Sequence, residues 1–183
     1  MTARPKYITE GRARKLGLLV SHERLTALLQ YDRHSGRFFW LQKPARNIVV
    51  GTEAGHVYST GYCVISISGV LYSRHRLAWF YETGEWPEDE IDHRQGVESG
   101  DKIKNLRPAT KRQNAWNSRV HKRNKLGIKG VRFHDGSYEA RISVLGKTIG
   151  LGRFPTAEEA AAAYRRASRK YFGEFASSRG ARK

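Results

Sequence analysis

The sequence predicts an α+β protein made of small antiparallel sheets, with a strand-loop-strand-helix unit at its centre and a second small unit, three strands and a helix, at its end. Three observations carry this expectation. Aromatic and β-branched runs punctuated by glycines recur between Gly36 and Tyr72, the pattern of antiparallel hairpins. Two capping boxes, Thr110 with Gln113 and Thr156 with Glu159, start helices directly after strand-like segments. The charged content of the 183-residue chain, 28%, argues against one large core and for two modest ones.

Charge narrows the function before any motif does. There are 34 Lys and Arg against 17 Asp and Glu, a formal +17. An excess of that size attracts polyanions whatever their sequence and releases their counterions, so nucleic acid is the expected partner and an acidic membrane face the lesser one. A single cysteine, Cys63, closes no intramolecular disulfide and builds no cysteine-based zinc site; it reads as core. No apolar run approaches the length of a membrane span, and the N-terminus lacks the apolar core of a secretory leader. The expectation is a cytoplasmic protein in a reducing compartment.

In chain order, residues 1–20 are basic and aperiodic and read as a flexible arm. Ser21 caps a short helix through Gln30, with Leu25, Leu28 and Leu29 on one face. Strands follow at Arg37–Trp40, His56–Tyr58, Tyr62–Ser68 and Leu71–Tyr72, separated by Gly51, Gly55, Gly61 and Gly69. Ser73 precedes a helix that Gly84 ends. His75, at the start of that helix, reads as a packed or capping residue in preference to an active-site histidine. Glu88, Asp89 and Glu90 read as a solvated turn.

The most informative stretch runs from Ile91 to Asn114, IDHRQGVESGDKIKNLRPATKRQN. Ile91 leads a strand that presents Asp92 and His93. Gly96 to Asp101 is loop, Leu106-Arg107-Pro108 a short returning strand ended by proline, and the Thr110 box opens a helix. Asn114 then lies one turn into that helix, where its side chain can face back toward the strand. Asp101 stiffens the loop as an Asx-type turn, with a direct metal role as the alternative.

DH…NLR…QN resembles the His-Asn-His (ββα-metal, or HNH) endonuclease motif, in the phage and mobile-element variety whose third histidine is Asn. The upstream HRLAWFYETGEWPEDEIDH resembles the lead-in of those proteins. The resemblance implies hydrolysis of DNA phosphodiesters with one divalent ion per site. It implies His93 as the general base, Asp92 and Asn114 as metal ligands, and Asn105 as the residue that braces the loop and orients His93. The chemistry agrees. Phosphodiester hydrolysis needs a cation against developing charge and a base near neutral pH; imidazole suits the second. A carboxylate and an amide oxygen are hard donors suited to Mg²⁺ or Mn²⁺.

Residues 119–129 read as a basic linker in which Arg119, Lys122, Arg123 and Lys125 can follow a phosphate backbone. Beyond it, strands at Gly130–Phe133, Ser137–Val144 and Lys147–Phe154 form a meander, and AEEAAAAYRRASRKYF a helix whose alanines permit close approach to one sheet face. Strand alternation can then put several of Arg132, Arg141, Lys147 and Arg153 on the open face. GVRFHDGSYEARI…IGLGRFPTAEEAAAAYRRA resembles the AP2/ERF DNA-binding domain over about residues 129–176. Where plant members carry tryptophans on the DNA face this chain has His134 and Gly150, so their base preferences do not transfer.

The organisation expected is a flexible arm (1–20), a nuclease domain (21–118), a linker (119–129), an AP2-like domain (130–176) and a basic tail (177–183). The function expected is a metal-dependent endonuclease acting on double-stranded DNA as a monomer or weak dimer, with no small-molecule cofactor and no membrane. The rival readings are a DNA-binding regulator whose nuclease module is scaffold, and an RNA-directed or structure-specific nuclease.

Overall fold

The computed structural model describes residues 8–120 and 123–177, and the chain divides into two compact units, Met1–Ala109 and Thr110–Lys183. The first begins with β1 (Ile8–Thr9) and α1 (Glu10–Lys15), followed by α2 (His22–Leu28), β2 (Leu29–Asp32) and β3 (Arg37–Trp40). Next come β4 (His56–Val57), β5 (Cys63–Ile67), β6 (Val70–Ser73), α3 (Arg74–Thr83), β7 (Glu90–His93) and β8 (Leu106–Ala109). Three sheets result: a four-stranded β1-β6-β5-β4 and the two hairpins β2-β3 and β7-β8.

Two elements differ from the sequence expectation. Residues 1–7 of the expected arm lie outside the described residues, but Ile8–Thr9 pair parallel to β6 and Thr9 caps α1. What fixes this segment is burial: Ala13 is fully buried, and the buried Glu10 carboxylate accepts from Arg76 Nε at 2.9 and 3.0 Å. No periodicity in so short a segment announces such contacts. The helix capped by Ser21 also ends sooner than expected, because Leu29 and Gln30 pair with Trp40 and Phe39. There cross-strand packing, with the Tyr31 and Phe38 rings 4.9 Å apart, outweighs the helical spacing of leucines.

Leu25, Leu28, Phe38, Ile65, Tyr72 and Leu77 form a dry centre, closed by Trp86, which stacks on Phe80 at 4.2 Å. Gly84 ends α3 in the left-handed conformation, φ 75°, and donates to Phe80 O, the C-cap its position predicts.

The second unit starts with α4 (Lys111–Asn117). Thr110 and Gln113 form the expected capping box. The helix packs with segments C-terminal to it: Trp116 stacks on Phe172 at 4.5 Å, and Lys129 Nζ donates to the Trp116 and Ser118 carbonyls. The division between units therefore falls before α4, not at residue 118. The segment expected as linker is also more than a solvated tether, since Leu126 and Ile128 pack against the second core and Val120 is buried.

β9 (Val131–His134), β10 (Ser137–Val144) and β11 (Lys147–Phe154) form an antiparallel sheet in the order β11-β10-β9. Their turns place Asp135-Gly136 and Leu145-Gly146 at positive φ, the conformation that matches strand twist in two-residue hairpins. α5 (Ala157–Phe172) lies on one sheet face through Ala160, Ala163, Tyr164 and Ala167, as its spacing predicts. Gly130 makes the fit possible: a Cβ there would sit 2.1 Å from the Tyr164 ring.

Gly130 and Gly136 share φ 71°, but nothing lies within 4 Å of a Cβ built on Gly136. Gly136→Ala therefore costs only the left-handed backbone penalty, about 1–2 kcal/mol, whereas Gly130→Ala adds overpacking of about 1–3 kcal/mol. Urea unfolding of the two variants measures the difference; equal losses would show that Tyr164 yields freely.

Candidate functional site

The β7-β8 hairpin is the frame of the site in the first unit. Its register sets Asp92 opposite Arg107 and His93 opposite Leu106. Successive residues of a strand face opposite ways, and the two candidate residues have different surroundings. Arg107 donates from Nε and Nη2 to Asp92 Oδ2 at 2.9 and 2.7 Å, with both side chains about 4% exposed. His93 is directed to a second group, made of His75, Asp101 and Tyr62.

His93 Nε2 lies 2.6 Å from Asp101 Oδ1, and Arg74 Nε donates to Asp101 Oδ2, also at 2.6 Å. Burial opposes ionisation of Asp101, but the hydrogen bonds from His93 and Arg74, with the Arg74 charge, outweigh it and hold the carboxyl below the usual carboxylate range. An ionised carboxylate only accepts, so His93 Nε2 is the donor, and in the neutral imidazole Nδ1 keeps its lone pair. Arg74 is balanced a second time by Glu53, whose Oε1 accepts from Arg74 Nη1 at 3.0 Å.

The loop between the strands is closely tied down. Asn105 Oδ1 accepts from Gln95 N at 2.8 Å, and Asn105 Nδ2 donates to the Gly96 and Gly100 carbonyls at 3.1 and 2.8 Å. The Asn105 carbonyl accepts from Arg94 N. One carboxamide thus spans the loop just behind His93. The Asp101 backbone is fixed from the other side: Tyr31 Oη donates to its carbonyl at 2.8 Å, and a Cβ on Gly36 would sit 2.5 Å from its carbonyl carbon.

His75, at the start of α3, completes the cluster. Its ring lies 5.1 Å from that of His93 and 5.7 Å from that of Tyr62. Its Nδ1 is buried and, among the described residues, has no hydrogen-bond partner. Burial and the nearby His93 push its pKa down to about 4, so the ring is neutral at pH 7. Among the described residues, one ligand-type atom each from His75, His93 and Asp101 lie within 4.8 Å of one another.

Of the residues named from the sequence, His93 and Asn105 sit together in this frame. Asp92 is paired with Arg107, and Asn114 lies on α4 in the second unit. Sequence reasoning gave little weight to His75 and Asp101 and did not single out Arg74 or Arg107. Arg107 was accessible in principle: once Asp92 and Pro108 are placed on paired strands, the residue opposite Asp92 is a cation, the favoured cross-strand partner of an acid.

In the second unit the open sheet face carries Arg132, Arg141 and Arg153 around Glu139. Glu139 pairs in register with both Arg132 and Arg153 and is joined to Arg132 by an ion pair. The Arg132 hydrogen bond and the charges of all three arginines lower the Glu139 pKa. Arg153 reaches this face because of a bulge. Ala140 pairs with Gly152 but Arg141 with Gly150, so Leu151 is an extra residue that shifts the alternation. Lys147 pairs with Val144, which packs on the helix side, so it does not join the three arginines. Arg119, Arg123 and Lys125 lie in the irregular segment between α4 and β9, and Lys122 lies outside the described residues.

Residues 72–116 match the family model described as HNH endonuclease, which supports a nuclease acting on DNA. The matched segment runs from β6 to α4 and contains His75, Asp92, His93, Asp101, Asn105 and Asn114. No curated protein matches the chain. Among the described residues no helix is long and apolar enough to cross a membrane.

Removing one partner of a buried ion pair withdraws donors that offset the desolvation of the other. Arg107→Met is expected to cost about 3–5 kcal/mol in urea unfolding, and Asp92→Leu added to it to restore most of that stability. A loss below about 1 kcal/mol for the single variant would mean that Asp92 is solvated when Arg107 is gone.

Proposed function

We propose that this protein is a metal-dependent DNA endonuclease, of the kind carried by phages and mobile elements, in which the C-terminal sheet and helix act as an AP2/ERF-like module that holds the enzyme on double-stranded DNA. The observation that carries the reading is the imidazole of His93, clamped by an ionised Asp101 behind a loop that Asn105 braces, within the segment matched to the HNH endonuclease. The phage and mobile-element assignment rests on the resemblance of the HRLAWFYETGEWPEDEIDH lead-in.

His93 is the base. The Asp101 carboxylate holds the tautomer with Nε2–H, so Nδ1 takes the proton from water and the carboxylate stabilises the imidazolium that results. The new bond forms between the water oxygen and phosphorus, the bond from phosphorus to the leaving oxygen breaks, and that oxygen is protonated from solvent. Asn105 positions His93 through the loop and touches no reacting atom. Asp92 and Asn114 offer a carboxylate and an amide oxygen, hard donors that fit Mg²⁺ or Mn²⁺. A bound divalent ion supplies charge neutralisation at the scissile phosphate.

The basic face supplies affinity. Arg141 and Arg153 flank Glu139 on the open sheet, and a sheet of this size enters a major groove. Arg119, Lys122, Arg123 and Lys125 add phosphate contacts, with Arg132 and Lys147 at the margins of the same module.

Incubated with supercoiled plasmid, the full chain is expected to relax or linearise it with Mg²⁺ or Mn²⁺ and to leave it intact in EDTA. Binding without cleavage under all metals would make it a regulator. His93→Ala is expected to lower cleavage by at least about 10²-fold, the range of a lost general base, and Asn114→Ala to raise the concentration of divalent ion that cleavage needs, while gel shifts of both in EDTA stay within a few-fold. Undiminished cutting by His93→Ala excludes His93 as base. Replacing Arg141 and Arg153 by Ala is expected to flatten the slope of log K against log salt by about 0.9 for each phosphate no longer neutralised.

A further inference from the structure

We propose that His75, His93 and Asp101 form a second cation site, for a borderline transition ion such as Zn²⁺, whose occupation takes the His93 imidazole away from the base role and silences the enzyme. The existence of the site stands on the cluster alone. Its inhibitory effect rests on the nuclease reading above.

The donor set is two imidazoles and one carboxylate, all within 4.8 Å. That is the ligand chemistry of Zn²⁺ and its neighbours in the first transition row, whereas Mg²⁺ prefers an all-oxygen octahedron. The His75 Nδ1, buried and without a hydrogen-bond partner among the described residues, needs an explanation. A coordinated ion supplies one.

The geometry is close to closed. Tetrahedral zinc with ligand bonds of about 2.0–2.1 Å separates its ligand atoms by roughly 3.3 Å. His93 Nε2 and Asp101 Oδ1, 2.6 Å apart around a shared proton, must open by somewhat under 1 Å as the ion replaces that proton. Arg74 already orients the carboxylate from its other oxygen, and Tyr31 and Gly36 hold the Asp101 backbone. Such outer contacts are what fix metal ligands in place. The nearby Arg74 charge opposes a cation, but Glu53 offsets it, so the triad retains the negative charge of Asp101. Three protein ligands leave a fourth position for water, and the proton that His93 carried on Nε2 moves to Nδ1 as the ion takes its place.

Occupation has a defined consequence. An imidazole that donates its Nε2 lone pair to an ion keeps its proton on Nδ1, the atom that must accept a proton from water. On the nuclease reading, an ion at the triad would therefore oppose the divalent ion that cleavage requires.

The probe is Co²⁺ as a spectroscopic substitute for Zn²⁺, titrated into the EDTA-treated and dialysed full chain. The expected result is one ion per chain with the intense visible bands of a tetrahedral nitrogen and oxygen site, undisturbed by millimolar Mg²⁺ and displaced by Zn²⁺. In His75→Gln the midpoint moves at least tenfold. Because that variant replaces a packed ring, the wild-type protein provides a second readout: of its seven histidines, the ¹⁵N ring signals of His75 and His93 shift on Zn²⁺ addition and the other five do not. Cleavage in Mg²⁺ falls with added Zn²⁺ at the midpoint of the optical titration. Shifts confined to other histidines, a Co²⁺ site unaltered in a folded His75→Gln, or coordination abolished by millimolar Mg²⁺ would each overturn the site. Co²⁺ coordination at the triad in a protein that cuts no DNA with any metal would instead sink the nuclease reading and leave the site standing.

Discussion

A carboxylate can stay ionised in a protein interior only where donors replace the water it has lost, and at Asp101 they come from two directions. Arg74 at the start of α3 and His93 at the end of β7 each lie 2.6 Å from one of its oxygens, while the backbone beneath is gripped by Tyr31 and pressed by Gly36. Removing the charge would leave a guanidinium and an imidazole facing each other in a low-dielectric setting. The hairpin β2-β3, helix α3 and hairpin β7-β8 are therefore joined at one buried aspartate, the hairpin β2-β3 through its backbone and the other two through its carboxylate.

Much of this was legible beforehand because the signals were local. A capping box is a statement about four consecutive residues: Thr110 and Gln113 form one in full, while Thr156 caps α5 by accepting from Glu159 N alone. Glycines with positive φ mark the turns of the second sheet, and alanines at helical spacing find the sheet they were expected to cover. Asn105 lies against the loop it was expected to brace. The side-chain contacts that local patterns did not show are distant in sequence: Glu10 finds Arg76, Tyr31 finds Asp101, and Asp92 finds Arg107. No window of periodicity contains such pairs. His75 was underweighted for the same reason, since beside a helix start nothing in the neighbouring residues says that a second imidazole arrives from a strand eighteen positions on. The turn formers around Asp101 predict a turn residue first and a metal ligand only as the alternative, yet its side chain points inward to Arg74.

The second unit shows how a single extra residue alters a surface. Alternation counted along β11 from Ile149, which faces the helix, would send Arg153 to the covered side. The bulge at Leu151 reverses the count, so that Arg153 stands beside Glu139 and Phe154 beside Tyr138 against the helix. The result is a compact group of three guanidinium charges around one acid. Glu139 aligns its neighbours by register and charge, leaving a net cationic face on the side that α5 does not cover.

The ties from Tyr31 and Gly36 to the Asp101 backbone bear on synthesis. Each joins segments more than sixty residues apart, so each must await the closure of a long loop, a slow and entropically costly event in folding. A chain still emerging from the ribosome carries His93 before it carries Asp101, and the imidazole then has no acceptor to choose its tautomer. The His93–Asp101 contact is fixed only after the later loop has docked onto the earliest hairpin. For a protein read as a nuclease, that ordering delays any cutting until the fold is complete.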